Sequence, residues 1–308
     1  MTPTGPETWA IGGGKGGVGK SWVTLALAYW AGRFKREIVL MDADLGGANL
    51  HTMLGMRIPE KTLDDFVLRR AETLDEIVLP TAWPRVGLLA GGSDTPALAN
   101  PNFGQKARIL RSMQKLNSDL LFVDLGAGTS LNTLDFFLAC PNKLVIMTPQ
   151  PTSIQNAYGF VKSALFRRVA RVLRPSPLKG WLDSNGNAES FPQSMDEILE
   201  EVSLRAPEWQ DDVRAVIDEI EINLIVNMVR DAKEEKIGKM IQEVCRRFLG
   251  LTVNCLGSVP YDPRVEKWSA TMDPGSIGKE GGGDALRAAY EIAYGMLGAS
   301  VSRQDRAA

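Results

Sequence analysis

Histidine is nearly missing from this 308-residue chain: His51 is the only one. With no second imidazole or thiol nearby, it reads as structural or solvent-facing, not as a metal ligand. Cysteine is scarce as well. Cys140, Cys245 and Cys255 lie far apart without paired ligand spacing, which argues against zinc or iron–sulfur sites and leaves buried thiols of a reducing compartment. Neither charge prevails, with 35 Lys and Arg against 37 Asp and Glu, so no global basic excess pulls the chain toward nucleic acid, which is not an expected partner. No apolar run is long enough to span a bilayer, and no signal sequence is read ahead of Trp9. The expectation is a cytoplasmic protein, with peripheral contact at the inner face of the membrane or at a cell pole left open.

What the chain has is 44% hydrophobic residues and a regular alternation of short apolar runs with helical stretches. Runs of strand length fall at 8–13, 37–42, 86–90, 119–124, 143–148, 222–227 and 253–259. Helical spacing falls at 21–33, 62–70, 104–116, 153–174, 233–249 and 284–297. Such alternation predicts an α/β fold, a mainly parallel twisted sheet flanked by helices on both faces. Residues 1–308 read as one domain, with 8–174 and 222–299 as core, and 1–7 and 300–308 expected to be disordered. Residues 175–221 break the pattern. From Ser176 to Glu221 there are twelve acidic against three basic residues, read as an acidic helical insertion on the rim of the sheet. The basic residues of two helices, Lys106, Arg108, Arg111 and Lys115, then Lys162, Arg167, Arg168, Arg171 and Arg174, are expected as solvated faces.

The sharpest motif is IGGGKGGVGKS at residues 11–21, an apolar strand end, then glycines, then Lys and Ser opening a helix. G-x-x-x-x-G-K-S is matched from Gly14 through Ser21, the signature of a phosphate-binding P-loop. Glycines let the backbone wrap a phosphate while its N–H groups donate, and the helix N-terminus adds its positive dipole end. Gly14, Gly16, Gly17, Val18, Gly19, Lys20, Ser21 and Trp22 form the expected cradle. Lys20 would reach the outer phosphates and Ser21 would ligate magnesium. Asp42 and Asp44 follow the second strand and Asp124 ends another, so all three fall on the P-loop edge. Asp124 suits the carboxylate that holds magnesium, and Gly128 in DLGAGTS suits a loop following the γ-phosphate. For Asp42 and Asp44, capping of the next helix is the competing reading.

KGGVGKS, residues 15–21, resembles the deviant P-loop of the MinD, ParA and Get3 group of ATPases, within the SIMIBI class of P-loop NTPases. The resemblance implies ATP/ADP and Mg2+ as cofactors, and a homodimer closed by ATP in which Lys15 reaches the partner's nucleotide. DADLGGANLHTMLG, residues 42–55, is similar to switch I of MinD and of the flagellar regulator FlhG (FleN, YlxH). It implies that Asp44 positions the attacking water while Asp42 supports the magnesium shell. MinD relatives usually show D-x-P-x-G where this chain has DLGAG, the version that FlhG proteins often carry. TPQPTSIQNAYGFVK, residues 148–162, also looks like FlhG. In the same group an asparagine matching Asn227 reads the adenine edge, and GSVPYDPRVEKW resembles the segment lining the base near Pro260. The final helix, poor in lysine, is expected to pack on the core and not to anchor in membrane.

The function expected is therefore a slowly hydrolysing ATP switch. An FlhG-like regulator of flagellar number or placement comes first, with a flagellar GTPase or another activator as partner. A MinD-like regulator of division or of another polar structure is the alternative, and a ParA-type partitioning ATPase comes third, because its aspartate-proline-glutamine string is absent. The catalytic set is Lys15, Lys20 and Asp44; the metal set is Ser21, Asp42 and Asp124.

Overall fold

The computed structural model describes residues 5–44, 47, 49–92, 101–182, 192–271, 273–275, 277 and 283–304. Its strands are β1 (Glu7–Gly12), β2 (Ile38–Ala43), β3 (Leu79–Pro80), β4 (Val86–Leu89), β5 (Leu120–Leu125), β6 (Asn142–Met147), β7 (Glu221–Val229) and β8 (Thr252–Pro260). They form one sheet in the order β3-β4-β2-β5-β1-β6-β7-β8, parallel except for the short β3. The helices are α1 (Lys20–Arg33), α2 (Leu50–Met53), α3 (Leu63–Val67), α4 (Phe103–Met113), α5 (Leu131–Ala139), α6 (Pro151–Val172), α7 (Met195–Arg205), α8 (Gln210–Glu219), α9 (Ala232–Glu235), α10 (Ile237–Leu249), α11 (Pro263–Thr271) and α12 (Gly283–Gln304).

The central strands are buried on both faces, which is why IVLMDA and LLFVDL read as continuous apolar runs and do not alternate. Two buried clusters cover the sheet. One joins Phe66, Phe136, Phe137 and Phe160 to apolar residues of α4 through α8 and α10; the other joins α1, Trp83 and α12. Each fully buried aromatic or aliphatic side chain contributes roughly 1.5–3 kcal/mol. The parallel strands share one edge at their carboxyl ends, where β1 delivers its glycine loop and β2 and β5 align Asp42 with Asp124.

The structure differs from several expectations. β1 begins at Glu7, whose N–H donates to Asp119 O at 3.0 Å, so residue 7 belongs to the sheet. α12 runs to Gln304, since no proline intervenes to stop it. The acidic helices α7 and α8 are not peripheral to the core. Met195, Ile198, Val202, Val213 and Ile217 are buried in the same apolar cluster as β7, and between β6 and β7 these helices pack against α6 and α10. Residues 93–100 of the loop expected at 91–102 lie outside the described residues.

The two basic stripes are only partly solvated. Lys106 from α4 and Arg167 and Arg171 from α6 converge on Asp135, a buried carboxylate of α5. Arg108 donates to the carbonyls of Phe66 and Ala71, the second at 3.3 Å. Arg168 pairs with Glu219 of α8 at 3.1 Å. Arg111, Lys115 and Arg174 are exposed as expected. One buried carboxylate thus turns apparent surface charge into the joint between three helices.

Asp135→Ala leaves these cations facing one another and is expected to cost roughly 3–5 kcal/mol in denaturant unfolding, whereas Arg111→Ala should change stability by less than about 0.5 kcal/mol. Burial pushes the Asp135 pKa up, but hydrogen bonds from Arg167 and Lys106 outweigh it and hold the carboxyl below its ordinary range. The stabilisation is present above the ordinary carboxylate range and lost as pH falls through the lowered value. Acid titration of unfolding for wild type and Asp135→Asn checks this.

Candidate nucleotide site

At the end of β1 the chain leaves the sheet as a glycine loop and re-enters regular structure at Lys20. Gly19, the residue before α1, has φ 83°, a left-handed conformation that costs any residue with a Cβ. A Cβ there would also lie 2.3 Å from Asn227 Nδ2. At Gly14 a Cβ would meet Asn156 O at 1.9 Å, so α6 backs the loop too closely for any side chain. α1 has no side-chain N-cap and no acidic residue in its first turn. Its first N–H groups and positive dipole end are therefore free for an anion.

Opposite the loop stands a buried carboxylate. Asp124 accepts Ser21 Oγ–H at 2.6 Å and Thr24 Oγ1–H at 3.3 Å. Burial, with repulsion from Asp42, raises its pKa to about 7 against the opposing pull of Ser21, Lys20 and Thr24. Lys20 is itself buried; desolvation lowers its pKa, although Asp124 and Asp44 attract its charge. Asp42 is 1% exposed and accepts N–H bonds from Leu50 at 3.0 Å and Asp44 at 3.2 Å. Burial raises its pKa to about 6. Its carboxylate is thus engaged by the backbone of Asp44 and Leu50.

The remaining expected residues fall around this centre. The Asp44 carboxylate lies beside Gly126, 2.9 Å from where a Cβ would stand. The Gly128 N–H donates to Gly13 O at 3.3 Å, tying the two loops together. Asn227 is buried and donates through Nδ2 to Val18 O at 2.9 Å. Pro260 ends β8 on the same edge, opposite Val229. Val18 and Trp22 turn their side chains into the core and offer only backbone to a ligand. Lys15 is exposed, its Nζ donating to Thr152 Oγ1 at 3.2 Å near the start of α6. Two contributors went unread: Thr24, one helical turn past Ser21, and Thr152, which sits in the quoted TPQPTS string.

These features suit magnesium and a nucleotide phosphate. A buried carboxylate raised toward neutrality lacks positive charge, and it sits against a hydroxyl at a helix N-terminus that lacks an anion. Among the described residues no group of three or more His, Cys, Asp or Glu gathers as a ready-made metal cage. Magnesium fits such a place, being commonly held by one or two carboxylates, waters and substrate phosphates.

The fold and loop define a P-loop nucleotide-binding protein of the α/β class. Residues 9–274 match the CobQ/CobB/MinD/ParA nucleotide binding domain, and the chain belongs to that family. It is 35% identical to antiactivator FleN of Pseudomonas aeruginosa over 155 residues, 50% of this chain and 54% of FleN. It is 32% identical to the flagellum site-determining protein YlxH of Helicobacter pylori over 160 residues, 50% of this chain and 52% of that protein. The aligned part thus spans about half the length of these relatives. In fold it is similar to the septum site-determining protein MinD of Pyrococcus horikoshii, solved with Mg-ADP. The TM-score is 0.65 at 18% identity, covering 94% of this chain and 96% of that one. No helix among the described residues is long and apolar enough to cross a membrane.

The raised pKa of Asp124 has a measurable sign. The folded protein holds a proton that the unfolded chain loses near 3.8, so the nucleotide-free protein should lose stability as pH rises from there through about 7. Asp124→Asn should flatten that slope and raise the melting temperature near pH 8 by several degrees, while abolishing magnesium-dependent nucleotide binding. Melting curves from pH 5 to 8 check it.

Proposed function

We propose that this protein is an ATP-driven molecular switch that closes as a homodimer and regulates the number or placement of flagella, in the manner of the FlhG-like proteins. The observation that carries the switch reading is the division of labour between two lysines. Lys20 is buried among Asp124, Asp44 and the loop, positioned for the phosphates of its own subunit. Lys15 points away, exposed and resting on Thr152, where it is free to serve a facing subunit.

In this reading the loop N–H groups and the α1 N-terminus hold the phosphates, with Ser21 and Asp124 as the residues that would hold magnesium. The metal, when bound, withdraws charge from the phosphate oxygens. Asp44 accepts a proton from the attacking water and orients it, while Asp42 fixes the turn that carries Asp44. Gly128 lets the switch II backbone respond to the outer phosphate through its tie to Gly13. Lys15 of the partner stabilises charge developing on the transferring phosphoryl, as an arginine finger does. The Asn227 amide, with its nitrogen held by Val18 O, leaves the carbonyl oxygen to accept from the amino group of adenine. Similarity to FleN and YlxH supports the flagellar assignment; likeness in fold to MinD supports only the architecture.

Size-exclusion chromatography of Asp44→Ala with ATP and magnesium is expected to show a dimer that ADP does not support. Lys15→Ala should lower ATP turnover by on the order of 10³ while nucleotide binding by the monomer persists. A chain that stays monomeric in every nucleotide, with turnover unaffected by Lys15→Ala, removes the dimer switch. Adding liposomes or a flagellar GTPase to the same assay tests the membrane and flagellar parts.

A further inference from the structure

We propose that Thr24 is a positioning residue for the magnesium of the bound nucleotide: its hydroxyl bridges the Lys20 carbonyl and the second oxygen of Asp124, and so fixes the plane of that carboxylate. The proposal rests on the nucleotide reading above. Thr24 lies outside the P-loop motif, three residues past its closing serine. Residues three apart share a helix face, and α1 turns both Ser21 and Thr24 toward the end of β5. Ser21 Oγ–H donates to Asp124 Oδ2 at 2.6 Å and Thr24 Oγ1–H to Oδ1 at 3.3 Å, so each oxygen of the carboxylate has its own hydroxyl.

Two hydroxyls matter because of how a carboxylate turns. The last torsion of an aspartate is broad and roughly two-fold, so a single bond to Oδ2 leaves the plane free to swing about it. A second bond, to Oδ1, removes that freedom. Thr24 and Asp124 are both buried, which keeps bulk water from taking over this second bond. The orientation of Thr24 is itself imposed, since its Oγ1–H also reaches Lys20 O, one turn back, at 3.0 Å. That contact selects one of the two rotamers open to threonine in a helix. One proton thus serves two acceptors: the shorter contact holds the hydroxyl in place and the longer one reaches the carboxylate. Through it the backbone of the phosphate-contacting lysine and the carboxylate suited to magnesium keep one relative placement. Magnesium demands near-ideal octahedral geometry, and a carboxylate free to rotate would serve it poorly.

The test measures ADP binding by calorimetry across a series of magnesium concentrations and in EDTA. Thr24→Val keeps the shape of the side chain and removes the donor. It is expected to raise the magnesium concentration that gives half the gain in ADP affinity by about ten-fold, while ADP affinity in EDTA stays unchanged. Thr24→Ser restores the hydroxyl and should return the midpoint to that of wild type. Melting curves of the nucleotide-free variants check that each is folded, and Thr24→Ala carries the same comparison should the valine variant not fold. An unchanged magnesium midpoint without the hydroxyl overturns the proposal, as does Thr24→Ser behaving like Thr24→Val. Equal weakening in EDTA and in magnesium also overturns it, because that marks a distorted loop. If the wild type binds no ADP, or binds it no better with magnesium, the nucleotide reading itself fails and takes the proposal with it. If the wild type responds to magnesium and only the variants behave otherwise than stated, that reading survives and the role of Thr24 does not.

Discussion

One hydrogen bond organises the site: Ser21 Oγ–H to Asp124 Oδ2 at 2.6 Å. It joins the first turn of α1 to the end of β5, and with Thr24 it holds a carboxylate in an environment that resists its charge. An ionised group is kept under such conditions only when something compensates it. Lys20 supplies part of that compensation and is itself desolvated. The remainder fits a divalent cation between the carboxylate and a phosphate. The buried carboxylate and the uncapped helix N-terminus thus carry opposite deficits, and a magnesium-bound nucleotide would meet both.

Much of this was legible in the sequence because local chemistry constrains it. A phosphate loop needs glycine where α6 passes within contact of Gly14 and where the chain turns left-handed at Gly19. Parallel strands buried on both faces announce themselves as unbroken apolar runs, and their terminal carboxylates had to share an edge with the loop. At Gly126 a Cβ would stand 2.9 Å from the Asp44 carboxylate, so a side chain there would have to displace that group.

What escaped the sequence is what depends on distant partners. Asp135 looks unremarkable within an apolar helix, yet it binds cations of two other helices and so withdraws residues from faces that local spacing marks as solvated. The acidic segment was read from its charge, while its structural role follows from a few apolar residues, Ile198, Val202 and Val213, buried in the apolar cluster. Composition reports the exposed side of a helix more loudly than the side that packs. Strand β3, two residues long and antiparallel, carries no periodic signal at all.

The two lysines of the loop show how placement assigns different work to the same chemistry. Burial lowers the pKa of Lys20 and fixes the side chain, so it suits a fixed phosphate contact. Lys15 is exposed and donates to a hydroxyl of α6 at 3.2 Å, a neutral contact of modest net value. Such a bond orients the ammonium without satisfying its charge, since a lysine carries three donors and prefers an anionic acceptor or water. A cation serving its own subunit's phosphate would gain by folding back beside Lys20. In the dimer proposed above, one held outward by a neutral acceptor would be free to meet charge from a facing subunit, because a single neutral hydrogen bond is a weak tether.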